Sequence, residues 1–282
     1  MSFYQEVIGK PLVLWKNRNF EASYKEIPSL DIELAGECNL NCKSCSHFSP
    51  LAEPEKISIE EFERDLKQLA RIIPDKIRKI NLLGGEPLLH EQIEDFMKIS
   101  RRYFPKEDIY IVTNGILLLK QKESFWQTAH ENKIGIEVTK YPIRLDFKKM
   151  RKTAKKYDVI FKFYGRSGYI QKTQYFLPLD LEGKQDKEES YQDCFMARSC
   201  ITLYHGKLFP CSYAAYVSRF NLYFNKKIPV TEDDYADIYS ENAEMIIKKI
   251  SNPVPMCSYC NVNARTYGNK WEVSKRDVGE WC

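Results

Sequence analysis

The chain has 282 residues and a nearly balanced charge, with 43 Lys and Arg against 39 Asp and Glu, for a formal +4. That length supports one large domain with a smaller appendage, and the balance excludes a basic stripe dense enough to grip nucleic acid. No apolar run is long enough to span a bilayer, and the start lacks a basic head followed by an apolar stretch, so a cytosolic protein without a membrane partner is expected.

In such a compartment thiols stay reduced, so nine cysteines read as metal ligands before they read as disulfides. Residues 1–28 form an N-terminal extension. From residue 29 onward, short strands rich in Ile and Val alternate with amphipathic helices: "LDIEL" (30–34), "KINLL" (79–83), "IYIVT" (109–113), "IGIEV" (134–138) and "VIFKF" (159–163). Ser58 and Glu61 make a capping box before Ile59, Phe62, Leu66, Leu69 and Ile73, and Pro74 ends that helix. A second helix carries Ile93, Phe96, Met97 and Phe104, a third Phe125, Trp126 and Ala129, and a fourth Met150, Ala154 and Tyr157. The basic run "KKMRKTAKK" (148–156) reads as the wet face of that fourth helix. Repeated strand–helix–strand units predict an α/β fold with a parallel sheet, open or curled into a full or partial barrel.

Near residue 166 the pattern changes. "LDLEGKQDKEESYQD" (179–193) reads as a linker or mobile loop, "CITLYHGKLFPC" (200–211) as a β-hairpin turning at His205-Gly206, and "AEMIIKKI" (243–250) as a helix. The division expected is 29–178 for the α/β domain and 179–282 for a small C-terminal domain.

Three cysteines, Cys38, Cys42 and Cys45, follow the first strand at Cys-x3-Cys-x2-Cys spacing. One loop of this kind can place thiolates on three irons of a cubane cluster and leave the fourth iron open. An open coordination position is what a catalytic metal site needs. The alternative is zinc with His47 as fourth ligand. "GGEP" at the end of the second strand contributes Gly84, Gly85, Glu86 and Pro87, with glycines that let a ligand approach the backbone. The third strand ends in Thr113 and Asn114, the fourth in Thr139, and Arg166 follows the fifth.

These motifs resemble the radical S-adenosylmethionine (radical SAM) enzymes. The resemblance implies a partial (β/α)6 TIM-like barrel and a [4Fe–4S] cluster on Cys38, Cys42 and Cys45. It also implies S-adenosylmethionine bound to the open iron and near Gly84, Gly85, Glu86, Pro87, Thr113, Asn114, Thr139 and Arg166. In such enzymes an electron from the cluster cleaves the sulfonium and yields a 5′-deoxyadenosyl radical. The chain departs from the family at Ser44, where an aromatic residue usually touches adenine; Phe48 is the nearest substitute.

The later cysteines Cys194, Cys200, Cys211, Cys257 and Cys260 precede a terminal Cys282, read as a free thiol. Their spacing around Gly206 resembles the SPASM and twitch auxiliary-cluster domains, in the shorter twitch form. That implies a second [4Fe–4S] cluster on Cys194, Cys211, Cys257 and Cys260, with Cys200 either a core residue or a replacement for Cys194. A structural zinc on four thiolates is the alternative. A closed auxiliary cluster can accept an electron, so the resemblance implies dehydrogenation of a small sugar, polyol or nucleotide-linked substrate, with a reducing protein such as flavodoxin or ferredoxin as partner. Only 28 residues precede the first strand, too few for a peptide-recognition domain, which ranks a peptide or protein modifier second and a non-catalytic zinc module third.

Overall fold

The structure, a computed structural model, describes residues 26–164 and 171–282. The N-terminal extension up to residue 25 and Arg166 lie outside the described residues. The architecture is α/β with a mostly parallel central sheet. Strands β1 (Leu30–Ala35), β2 (Lys79–Gly84), β3 (Asp108–Thr113), β4 (Ile134–Val138) and β5 (Phe161–Phe163) run parallel in consecutive order. Helices α1 (Ile59–Ile72), α2 (Ile93–Tyr103), α3 (Glu123–Glu131) and α4 (Phe147–Lys156) connect them. The first helix starts where the sequence places it, because Ser58 Oγ accepts the Glu61 N–H at 3.1 Å. The fifth strand is shorter than its apolar run, beginning at Phe161.

The sheet does not close. Its order is β5-β4-β3-β2-β1-β7-β8-β9, so β5 and β9 are edges of a partial, TIM-like barrel. Strand β6 (Gln174–Phe176) pairs instead with β10 (Thr266–Asn269). Strand β7 (Ile201–Tyr204) lies parallel to β1, and β8 (Lys207–Phe209) and β9 (Ala236–Asp237) continue antiparallel. The expected hairpin is therefore present, but it extends the barrel sheet rather than standing apart from it. His205 and Gly206 both take positive φ, at 48° and 71°, as a two-residue hairpin turn requires.

Two stretches for which no helix was expected are helical. The polar segment 179–193 ends in α5 (Lys187–Asp193), started by Asp186, whose side chain accepts the Glu189 N–H. The aromatic stretch after Cys211 is α6 (Ser212–Phe224), with Tyr213, Tyr216, Val217 and Phe220 buried at helical spacing. Helix α7 covers Ala243–Ile250, as expected.

Side chains alternate across each strand, so its two faces differ. Leu30, Ile32, Ile80, Leu82, Ile109, Ile111, Ile134 and Ile136 join the helices in the main core. The other face carries a polar row set by register: Asp31 beside Asn81, Asn81 beside Tyr110, and Glu137 beside Lys162. Glu137 is neutralised by Lys79 and Lys162, both at 3.0 Å. A second core of Phe48, Tyr213, Tyr216, Phe220, Met256 and Trp281 holds the C-terminal region against the barrel mouth. No helix among the described residues is long and apolar enough to cross a membrane.

One buried ion pair joins the two cores. Arg219 on α6 forms a two-pronged contact with Glu33 on β1, through Nη2 and through Nη1 at 3.1 Å. The same guanidinium donates to the His47 carbonyl at 3.1 Å and to Glu55 at 3.3 Å, and lies 4.5 Å from the Tyr216 ring centroid. Removing one member leaves a buried charge unpaired, which costs about 3–5 kcal/mol. Arg219→Ala is thus expected to lower stability by that amount in denaturant titration, and Arg219→Ala with Glu33→Ala by less than the sum of the two single losses.

Candidate active site

The three-cysteine loop leaves β1 at the carboxyl end of the sheet, where parallel α/β folds gather their chemistry. Cys38, Cys42 and Cys45 open onto one cavity of about 460 Å³. Gly84, Gly85, Thr113, Asn114 and Thr139 line the same cavity, from the ends of β2, β3 and β4. The two glycines are required by the close approach of the loop. A Cβ at Gly84, where φ is +151°, would stand 2.3 Å from the Ala35 carbonyl oxygen, and one at Gly85 would stand 2.3 Å from that of Glu37.

Glu86 and Pro87 do not reach the cavity surface. Glu86 is fully buried behind the loop and accepts hydrogen bonds from Thr113 Oγ1 at 2.6 Å, Asn114 N at 2.9 Å and Leu88 N at 3.1 Å. It thereby locks the ends of β2 and β3 together. Burial pushes its carboxyl up to about 7, against those three donors. Thr113 spends its hydroxyl on this lock. Asn114 instead turns towards the cysteine loop, donating to Asn39 Oδ1 at 2.7 Å with Cys38 Sγ at 4.0 Å.

The C-terminal segment forms the opposite wall of the cysteine loop. Trp281, fully buried, donates its indole N–H to the Cys45 carbonyl at 3.0 Å. Lys43 N donates to Glu272 O at 3.0 Å, and Ser274 N to Asn41 O at 2.7 Å. Ser44 sits at φ 56°, donates to the Glu280 carbonyl at 2.7 Å and accepts from Gln174 Nε2 at 2.8 Å. Phe48, the expected aromatic substitute, packs away from the cavity against Tyr213, Phe220 and Trp281. The ring that does face the cavity is Trp271, which with Tyr141 stands beside the Cys42 thiol. His47 lies 3.5 Å from Glu33 and stacks on Tyr216.

The thiols are held in a medium that disfavours bare charge. Burial pushes Cys38 up to about 12 and Cys42 up to about 11. They therefore keep their protons until a positively charged group replaces them, which is what iron does. Four buried polar atoms on the cavity wall have no hydrogen-bond partner: Ser49 Oγ, Asn81 Oδ1, Tyr175 Oη and Trp271 Nε1. Unpaired buried polar groups are costly, so a wall that carries four fits a polar ligand.

Cys194, Cys211, Cys257 and Cys260 line a second, small buried cavity between α5, α6 and the turn at residues 255–259. Burial pushes Cys257 up to about 12, and Cys211 and Cys260 well above the usual thiol range. Cys200 is set apart from them, on the main cavity beside Ser199 and just ahead of β7. Cys282 packs half-buried against the second core. Among the described residues no three His, Cys, Asp or Glu side chains form a group that could hold a metal ion.

Residues 32–163, from β1 through the cysteine loop to β5, match the model of the Radical SAM superfamily. This stretch of the chain is therefore similar to a radical SAM domain. GTP 3′,8-cyclase of Clostridium perfringens (strain SM101 / Type A) is 37% identical over 97 residues, 33% of this chain and 29% of that protein. Probable GTP 3′,8-cyclase of Methanocella arvoryzae (strain DSM 22066 / NBRC 105507 / MRE50) is 36% identical over 109 residues, 39% of this chain and 34% of that protein. The matched part of the chain thus spans about a third of these curated relatives. The crystal structure of BtrN in complex with AdoMet and 2-DOIA shares the fold, with a TM-score of 0.53 at 18% identity, covering 84% of this chain and 94% of that one. That family implies S-adenosylmethionine and a [4Fe–4S] cluster, and the residues here fit both: three thiols on one loop, a glycine turn beside them and polar side chains opposite.

Sequence reasoning did not find Trp271, Tyr141, Asn81 or Tyr175 in this cavity. Asp31 and Asn81 were visible as polar breaks in two apolar strands; the three aromatics gave no local signal, since distant chain segments bring them in. Glu86 offers a test of the lock. Its folded carboxyl titrates above the unfolded value of 4.5, so the folded state gains a proton that the unfolded state lacks between about pH 4.5 and 7. Stability is therefore expected to fall as pH rises through that window, by a few kcal/mol at most (on the order of 3). Glu86→Gln is expected to flatten this dependence in denaturant midpoints measured from pH 5 to 8.

Proposed function

We propose that this chain is a radical SAM oxidoreductase that dehydrogenates a small sugar, polyol or nucleotide-linked substrate. The observation that carries the reading is the partition of the cysteines. Three open onto a roomy polar cavity, and four line a closed one. When bound, the catalytic cluster and S-adenosylmethionine supply a carbon-centred radical that removes a hydrogen atom from substrate.

The protein's own residues do the rest. Cys38, Cys42 and Cys45 hold the catalytic cluster, with the Leu40 N–H directed at Cys38 Sγ at 3.4 Å. Gly84 and Gly85 expose backbone to S-adenosylmethionine, Thr139 and Asn114 lie on the same wall, and Glu86 with Thr113 fixes that wall in place. Trp271 takes the aromatic place beside adenine that Ser44 leaves open. Cys194, Cys211, Cys257 and Cys260 would hold an auxiliary [4Fe–4S] cluster, which would supply an electron acceptor. A small reducing protein of the flavodoxin or ferredoxin class feeds the catalytic cluster. The named cyclase relatives match over 97 and 109 residues, little more than a third of this chain at most, so they do not set the substrate.

Anaerobic assays separate these roles. Replacing Cys38, Cys42 and Cys45 by Ala is expected to abolish formation of 5′-deoxyadenosine. Replacing Cys257 and Cys260 by Ala is expected to spare uncoupled formation of 5′-deoxyadenosine and to stop oxidised product. Normal product formation by the second variant would remove the electron-acceptor role, and turnover with peptides but not with sugars or polyols would favour the peptide-modifying alternative.

A further inference from the structure

The main cavity extends past the cysteine loop toward the starts of β1 and β2, where Ser29, Asp31, Lys79 and Asn81 line it. This inner end is separate from the glycine turn and the strand ends. Among the described residues Asp31 is the single Asp or Glu on the cavity wall. The neighbouring carboxylates are spent elsewhere: Glu33 on Arg219, Glu86 on the lock between β2 and β3, and Glu137 on Lys79 and Lys162.

Asp31 is held by a hydrogen bond from Asn81 Nδ2 at 2.7 Å, and the same amide donates to Ser29 Oγ at 3.0 Å. Both donor hydrogens of Asn81 are thus used, while its Oδ1 is buried without a partner. Side by side on adjacent strands, a carboxylate and an amide oxygen offer acceptors and no free donor. Ser49 Oγ and Tyr175 Oη, hydroxyls that can donate or accept, and the Trp271 indole N–H, a donor, complete the unpartnered set on the same cavity. A molecule that satisfies such a wall carries several hydroxyls, able to donate at one point and accept at another.

We propose that Asp31 and Asn81 form the hydroxyl-binding subsite of this cavity and that its substrate is a neutral polyhydroxylated ring, with one hydroxyl donating to Asp31 and a neighbour to Asn81 Oδ1. The proposal rests on the functional reading above. It adds residues and a substrate class that no cysteine or glycine motif specifies. The groups that face Asp31 are Asn81, His47, Lys79, Glu137, Tyr164, Cys200 and Tyr216. Burial pushes the Asp31 carboxyl up to about 6, against the Asn81 bond and the nearby positive charges. The acceptor is therefore fully charged only above that pH.

The test uses the reconstituted holoenzyme with S-adenosylmethionine bound. Binding of myo-inositol, glucose and galactose is followed by calorimetry and by Trp fluorescence, from pH 5 to 8, in wild type, Asp31→Asn and Asp31→Ala. At least one of these compounds is expected to bind wild type more tightly as pH rises through about 6. Affinity is expected to fall at least tenfold in Asp31→Ala, and in Asp31→Asn to lose its pH dependence, while both keep wild-type affinity for S-adenosylmethionine. Equal affinity and an unchanged pH profile in the variants would overturn the subsite. So would failure of every one of these compounds to bind a wild type that does bind S-adenosylmethionine. Failure of wild type to bind S-adenosylmethionine would instead overturn the functional reading and the subsite with it.

Discussion

The buried contact between Arg219 and Glu33 is the constraint on which the rest of the arrangement depends. Glu33 belongs to the first strand, and the His47 carbonyl that shares the guanidinium ends the three-cysteine loop. Arg219 sits on a helix that starts directly after Cys211. One cation therefore sets the distance between the open cysteine set and the closed one. A charge buried at this depth is tolerated only when its hydrogen bonds are met, and here they are met from three separate chain segments. Gly36 fits the same constraint: a Cβ there would come within 2.9 Å of Arg219 Nη2.

Around that joint the molecule divides its chemistry by exposure. The open set of thiols faces a cavity of about 460 Å³, and its wall keeps four polar atoms unpaired. The closed set lies among Leu177, Met196, Tyr213 and Met256, in a cavity shielded from polar ligands. Burial raises the thiols of Cys38 and Cys42 in one set and of Cys211, Cys257 and Cys260 in the other, a cost that a bound cationic group would offset. The C-terminal segment then has a clear task. By bonding Trp281 to Cys45, and residues 272 and 274 to residues 43 and 41, it fixes a loop that has little regular structure of its own.

Much of this was legible in the sequence because it is local. The strands, the Ser58 cap, the hairpin turn and the cysteine spacing each depend on neighbours a few residues away. The helix at 212–224 was not legible, because its buried face is built of Tyr, Phe and Ala rather than an aliphatic stripe. Helix 187–193 hid in a polar run, since its two buried residues, Ser190 and Tyr191, make no period. The placing of β7 beside β1 depends on a crossover, and propensity says nothing about it. In the site, the glycine turn and strand ends could be located from motifs. The role of Glu86 could not, because its partners come from β3. Trp271 and Asp31 became visible as cavity residues only once the fold had placed them, one from the distant C-terminal segment and one on the polar face of β1.

The central claim is that one cysteine set leaves an iron open and the other does not. Iron and sulfide analysis of anaerobically prepared protein, with electron-resonance spectra taken with and without S-adenosylmethionine, tests it most directly. The account predicts about eight irons and eight sulfides per chain, falling to about half when Cys257 and Cys260 are replaced. It also predicts that S-adenosylmethionine perturbs the signal lost on replacing Cys38, Cys42 and Cys45 and leaves the other unchanged. Zinc without sulfide, or a spectrum indifferent to S-adenosylmethionine, would contradict it.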